Sequence, residues 1–344
     1  MHMADALLSP AVGGVMWAAS GATIAYSARK VREDLDESKI PLMGVAGAFV
    51  FAAQMVNFTI PGTGSSGHLG GALLLAILLG PEAAFLVIAS VLAVQALFFA
   101  DGGLLALGAN VFNLGFFPAF VAYPLVYRRI VGDGPQLDRR RVFLGGILAA
   151  IVGLQLGALA VVLETTASGI SELSFGSFVL MMLPIHLAIG VVEGLVTAAV
   201  VLFVYRAEPE LLERTVARKP LRGLRLKPVV IGLAVAALLT GGFLSWYASA
   251  NPDGLEWSIA KVTGTEPELE ASTATHDTAA TAQERTAILP DYTFKIEEGR
   301  AGKEAGVSGT SVSGVVGALL VLMVAGALGF VLRRRSSARS APRA

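Results

Sequence analysis

Cysteine is absent from this 344-residue chain, which excludes disulfides and thiolate metal sites and leaves metal chemistry to nitrogen and oxygen donors. Charge is scarce as well. Only 15% of residues are Asp, Glu, Lys or Arg while 54% are hydrophobic, against about 25% charged in ordinary soluble domains. The formal net charge is zero, and the basic residues gather on no single candidate surface, so nucleic acid is not an expected partner. No G-x-x-x-x-G-K-S/T phosphate loop occurs, so the chain carries no ATP-hydrolysing site of that type. Met1 to Ala25 holds neither lysine nor arginine. A secretory leader needs a positive stretch ahead of its apolar run, so the N-terminus is expected to be retained in the mature fold.

What the chain has in quantity is apolar length. Stretches fit to cross a bilayer occupy 10–27, 42–60, 82–99, 104–127, 142–164, 178–205, 229–249 and 313–332, and a shorter one, 69–80, lies between glycine-rich breaks. The expected fold class is an all-α, polytopic integral membrane helix bundle. Of the 26 Lys and Arg, 21 fall in four segments: Arg29–Lys39, Arg128–Arg141, Arg206–Lys227 and Arg333–Arg343. By the positive-inside rule all four are cytoplasmic. An even number of crossings must then separate the first two, which requires 69–80 to cross. The expectation is nine spans, about seven plus a C-terminal two-span unit, with the N-terminus outside.

The segment 250–311 differs from the rest, with eleven Asp or Glu against five Lys or Arg. Its middle, EPELEASTATHDTAATAQERTA, is small and polar and reads as a flexible connector rather than a packed domain. The boundaries drawn are 1–205 for a transmembrane domain, 206–228 for a basic cytoplasmic linker, 229–332 for a two-span unit with the acidic external loop 250–311, and 333–344 for a basic cytoplasmic tail.

Four histidines are present: His2, His68, His186 and His276. The topology puts His2 and His68 on the same outer face. A free α-amine, the amide nitrogen of residue 2 and the imidazole of residue 2 can chelate one metal through adjacent five- and six-membered rings. A tetragonal nitrogen set of this kind suits divalent nickel and copper. Met1 and His2 would supply three donors, and His68, in PGTGSSGHLGG, a fourth. The plain alternatives are that His2 stands behind Met1 by chance at a frayed terminus and that His68 only caps the third span. His186 and Glu193, seven residues apart, share one face of the seventh span as a buried polar pair, structural or functional. Asn110 and Asn113 follow the DGG turn and stand where they would hydrogen-bond the metal loop, although plain interhelical bonds would place them equally well. His276 receives no site.

The opening MHMADALLSP, the run GTGSSGHLGGALLLAILLGPEAAFLVIASVLAVQALFFADGGLLALGANVFNLG and the later LPIHLAIGVVEGLVTAAVV resemble the CbiM/NikM family over most of 1–205. These are the substrate-binding membrane subunits of energy-coupling-factor transporters for cobalt and nickel. NPDGLEWSIAKVTG then resembles the PDGLE segment of the accessory subunit NikN, so the chain is similar to a NikM–NikN fusion. The resemblance implies that the Met1 amine, the amide and imidazole of His2, and His68 hold Ni²⁺ or Co²⁺ as substrate, with no cofactor and no catalysis. It also implies partners: a transmembrane coupling component and separate ATP-binding-cassette ATPase subunits, in the lipid of the cell inner or plasma membrane. A stripe of small residues, Ala18, Gly21, Ala22 and Ala25, offers close approach to another helix. Two rival readings are a stand-alone secondary cation carrier using Asp101, His186 and Glu193, and an intramembrane serine protease using Ser66 of GSSG with His186 as base.

Overall fold

A chain this apolar must satisfy its backbone hydrogen bonds internally, and helices do so segment by segment. The computed structural model describes residues 2–34, 36–132, 137–170, 173–264, 273–294 and 303–340. After a 3₁₀ turn at Asp5–Leu7 come α1 (Pro10–Asp34) and α2 (Lys39–Gln54), then a hairpin of β1 (Phe58–Ile60) and β2 (Ser65–Gly67). Next are α3 (Ala72–Leu79), α4 (Pro81–Phe99) and a continuous rod made of α5 (Leu107–Val111), a π-helical stretch (Phe112–Tyr127) and α6 (Arg128–Val131). The long pair α7 (Arg139–Ser168) and α8 (Phe175–Ala207) follows, with α9 (Pro209–Val216) behind it. The second unit consists of α10 (Lys227–Gly242), α11 (Gly254–Thr263), α12 (Ala274–Thr286) and α13 (Lys303–Ser340).

Among the described residues five helical stretches are long and apolar enough to cross a membrane: Pro81–Phe99, Leu107–Val131, Arg139–Ser168, Phe175–Ala207 and Gly309–Arg333. Lys39–Gln54 and Lys227–Gly242 are apolar but shorter. The protein is an all-α polytopic membrane bundle. The 69–80 segment contains α3, whose eight residues are all buried. At 1.5 Å per residue they cover roughly 12 Å of a hydrocarbon core about 30 Å thick, so this helix is not a complete span by itself.

Close packing is set by glycine. Gly190 and Gly194 on α8 are four residues apart, and a Cβ on Gly190 would stand 2.8 Å from the Ile151 Cα of α7. The two helices therefore meet backbone to backbone, the small-xxx-small mode of membrane helices. α2 is apolar all round, and Leu42 through Gln54 are all buried, as a helix hydrophobic on every face should be. It is covered partly by the second unit: a Cβ on Gly44 would lie 3.1 Å from the Leu322 carbonyl oxygen of α13. The two-span unit is thus packed into the bundle wall. At the end of the bundle holding the basic segments, Arg218 pairs with Glu82 at 2.7 Å and Arg333 with Glu37 at 2.6 Å. The histidines His2 and His68 lie at the other end, with the hairpin and α11 and α12.

Candidate metal centre

The N-terminal segment is tied down from its second residue on. Met3 is fully buried, with Leu7 and Leu8 beside it in the core. Asn110 makes a two-way bond with the Met3 backbone, its Oδ1 accepting from the Met3 N–H at 2.8 Å and its Nδ2 donating to the Met3 carbonyl at 3.1 Å. The Gly103 N–H donates to the same carbonyl at 2.9 Å, and Asp5 Oδ1 accepts from the Ala106 N–H at 2.9 Å. The DGG turn is needed for this fit. Gly102 has φ +79°, and a side chain there would meet Asn110 Nδ2 at 2.9 Å and the His2 Cβ at 3.2 Å. Met1, whose amine the sequence reading assigns as a ligand, lies outside the described residues.

His68 leaves the end of β2, in which Phe58 pairs with Gly67 and Ile60 with Ser65. The loop behind it is held by α8: the Glu193 carboxylate accepts from the Gly70 N–H at 2.7 Å and the Gly71 N–H at 3.0 Å. Gln54 Nε2 donates to the Gly70 carbonyl at 2.8 Å. His68 Nδ1 lies 3.1 Å from the Leu69 carbonyl oxygen. A carbonyl only accepts, so Nδ1 carries the proton and the lone pair is on Nε2. Burial pushes the His68 pKa down to about 3, with nearby positive charge including His2 adding to it. The imidazole is therefore neutral at physiological pH, as metal ligation requires.

His2 stacks on His68, ring centroids 4.9 Å apart and planes 7° from parallel. His2 Nδ1 is 3.0 Å from Asp101 Oδ1, and Asp101 Oδ2 accepts from the Tyr292 hydroxyl at 2.5 Å. Burial by itself would raise the Asp101 pKa, yet His2 beside it and the Tyr292 hydroxyl hold the carboxyl below the usual carboxylate range. His2 Nε2 is buried and has no hydrogen-bond partner among the described residues. The six-membered chelate ring runs through Nδ1, so chelation by His2 requires its imidazole to turn from Asp101. Among the described residues no three His, Asp or Glu side chains form a metal-holding group.

Beside the stacked rings lies an open cavity of about 880 Å³ whose lining includes Asp5, Asp101, Asp253, Glu256, Asp277 and Asp291 and, among the described residues, no lysine or arginine. Carboxylates of one sign around a concave mouth concentrate cations there.

The second unit builds much of that mouth, contrary to the expectation of a flexible connector. Thr273 caps α12 by accepting from the His276 N–H, and His276 is buried. Its Nε2 donates to the Leu8 carbonyl at 2.9 Å, with the Asp5 carbonyl at 3.2 Å, which holds the turn bearing His2. Gln283 Nε2, seven residues on, donates to the Gly102 carbonyl at 2.7 Å and the Ala96 carbonyl at 2.9 Å. The polar composition that reads as unfolded is the solvent face of a short helix whose other face carries these two residues. Of the quoted run, residues 266–272 lie outside the described residues. The PDGLE motif also has a packing reason. The Ser66 N–H donates to the Pro252 carbonyl at 2.8 Å, Asp253 and Glu256 form a capping box that starts α11, and a Cβ on Gly254 would strike Ile185 Cγ2 at 2.6 Å.

Other sequence candidates find different partners from those expected. Asn113 Nδ2 donates to Glu164 Oε2 at 2.8 Å, away from the loop that Asn110 supports. His186 and Glu193 are both buried but each is held separately, His186 by the Met182 carbonyl at 2.8 Å and Glu193 by the loop glycines. The Ser66 hydroxyl donates to the Asn251 carbonyl at 2.8 Å, and the His186 nitrogen that carries its hydrogen bond faces Met182, so no serine–histidine couple is assembled. His276, Gln283 and Tyr292 are the residues that sequence reasoning missed. A threonine cap followed by His276, Ala280 and Gln283 on one helix face was the available signal.

Comparison with known proteins identifies the family. Residues 2–211 match the CbiM family, described as the cobalt uptake substrate-specific transmembrane region, and residues 227–334 match the PDGLE domain. A putative fused nickel transport protein NikMN of Archaeoglobus fulgidus is 35% identical over 339 residues, 97% of this chain and 98% of its own length. The fused nickel transport protein NikMN of Rhodobacter capsulatus is 36% identical over 66% of this chain and 68% of its own. The cobalt transport protein CbiM of Sorangium cellulosum is 31% identical over 62% of this chain and 95% of its own. A crystal structure of a truncated transition metal transporter superposes with a TM-score of 0.53 at 33% identity, covering 60% of this chain and 99% of that one. With its stacked histidines, its glycine loop and the PDGLE segment docked on them, the chain belongs to the CbiM/NikM family of nickel and cobalt transport membrane proteins, in the form fused to a PDGLE domain.

Proposed function

We propose that the chain is the substrate-binding subunit of an energy-coupling-factor importer, capturing Ni²⁺ or Co²⁺ at the outer face of the cell inner or plasma membrane. The ligands are the Met1 amine, the amide and imidazole nitrogens of His2, and His68 Nε2. The observation that carries this reading is the parallel stack of His2 on His68 beneath a mouth lined by carboxylates. A cation drawn into the mouth meets two imidazoles already desolvated, so little reorganisation remains. Binding turns His2 Nδ1 from Asp101 to the metal. The nitrogen donors favour nickel, and the relative that matches nearly the whole chain is named for nickel transport.

Transport needs partners. The chain has no phosphate loop, so ATP is hydrolysed on separate ATP-binding-cassette subunits reached through a transmembrane coupling component. The small residues Ala18, Gly21, Ala22 and Ala25 of α1 are all exposed, and we assign the coupling contact to that stripe. The subunit itself is non-catalytic.

Calorimetric titration of the purified chain with Ni²⁺ and Co²⁺ tests the ligand set. His2→Ala and His68→Ala should each weaken Ni²⁺ binding by at least a hundredfold. Wild-type affinity in either variant would remove that histidine from the site.

A further inference from the structure

Tyr292 belongs to the second unit, yet its side chain reaches into the half of the chain that carries His2 and His68. The backbone before it is docked on the end of α4, where the Ile288 and Leu289 N–H groups donate to the Phe98 carbonyl at 3.0 and 3.2 Å. The Tyr292 ring stacks on Phe99, centroids 5.0 Å apart and planes 19° from parallel, and meets Phe51 edge-on at 6.2 Å. The segment accepts strain to hold that ring. Asp291 and Tyr292 have φ of +49° and +58°, a left-handed conformation that is an outlier for a bulky side chain. Such strain persists where the surroundings over-determine it, and it gathers at ligand sites.

The hydroxyl is aimed at Asp101. It donates to Asp101 Oδ2 at 2.5 Å while Oδ1 lies 3.0 Å from His2 Nδ1, so one carboxylate is shared between Tyr292 and His2. Burial, with the Asp101 charge adding to it, raises the Tyr292 pKa well above its ordinary value, so the hydroxyl keeps its proton and acts as a donor. Metal capture through Nδ1 takes His2 away from Oδ1. Among the described residues Tyr292 is the other side-chain donor on this carboxylate. A carboxylate that accepts a hydrogen bond on one oxygen is a weaker base at the other. The donor that stays after His2 leaves also counts for more than it did as one of two, because an acceptor stripped of its last partner bears the full cost of desolvation.

We propose that Tyr292 is a positioning residue for metal loading: by holding Asp101 Oδ2 it loosens the grip of Asp101 on His2 and keeps the carboxylate paired once His2 has turned to the metal. This rests on the ligand set given under the proposed function. Tyr292 acts through Asp101 and is not itself a ligand. The second unit thereby sets how readily the site fills.

Stopped-flow mixing of the full chain with Ni²⁺ alone tests this. Tyr292→Phe keeps the ring that stacks on Phe99 and removes only the hydroxyl. With Asp101 then holding His2 more tightly, Ni²⁺ association should slow about tenfold, the scale of one hydrogen bond to a charged group. Dissociation and the visible absorption of bound Ni²⁺ should stay as in the wild type, because the ligands are the same. In an Asp101→Ala background Tyr292→Phe should change nothing. Association of Tyr292→Phe at the wild-type rate would overturn the proposal. So would faster dissociation or a shifted absorption band, which mark a damaged site, or the same slowing in the Asp101→Ala background. Tight binding by His2→Ala would instead overturn the ligand set, whatever Tyr292→Phe does.

Discussion

His68 is neutral because it is buried, and that has a consequence for stability. Its pKa is about 3 in the folded protein against an ordinary value of 6.5, so between those values the unfolded chain takes up a proton that the folded one does not. The contribution of this group is therefore intact above pH 6.5 and is lost progressively as pH falls toward 3. Thermal melts at pH 7 and pH 5 should show a larger loss of melting temperature in the wild type than in His68→Gln. An equal loss would show that His68 is not the group responsible. In the proposed site His276 acts without being a ligand. Removing its imidazole takes the donor from the Leu8 carbonyl, at about 1–3 kcal/mol for a buried group left unpaired. His276→Ala should thus weaken Ni²⁺ binding about tenfold, with His276→Gln recovering part of it. Unchanged affinity would make the contact incidental to metal capture.

The elements that position the proposed ligands are two glycine turns and a short helix. The DGG turn seats the N-terminal segment, and an alanine at Gly102 would suffer both from its φ of +79° and from contact with Asn110 and His2. Gly102→Ala should lower Ni²⁺ affinity at least tenfold, while the same change at Gly176, which has open space around it, should leave it unaltered. The comparison is read by titration, and equal effects would remove the turn from the account. Much of this was legible in the sequence. His2 and His68 could be paired because charge segregation puts both on one face, and the apolar runs foretell the long helices. The role of α12 was not legible, because its buried residues are His276 and Gln283, polar side chains whose value depends on distant carbonyls. Nor does a seven-residue spacing say whether His186 and Glu193 bond to each other, since each finds backbone partners within its own reach. The 69–80 segment is short because α3 is packed on all sides within the bundle, and loop charge counts carry no information on such burial.

On the scale of the whole molecule the second unit is built into the proposed metal site. α13 lies against α2, and the segment between α10 and α13 reaches across the site to Leu8, Gly102 and Asp101. The exposed small-residue stripe of α1 is where we propose that a partner docks in the membrane. Ala22→Leu should abolish co-purification with the coupling component while leaving Ni²⁺ binding unchanged; assembly at wild-type yield would place the contact elsewhere.

The central claim is that the amino group at the start of the chain is itself a metal ligand beside His2 and His68. The most direct measurement compares Ni²⁺ affinity of the chain beginning at Met1 with that of the same chain bearing one additional residue before it. The extension changes no side chain, yet it turns the amine into an amide. We predict a loss of affinity as large as in His2→Ala, at least a hundredfold. Equal affinity with and without the extra residue would contradict the account.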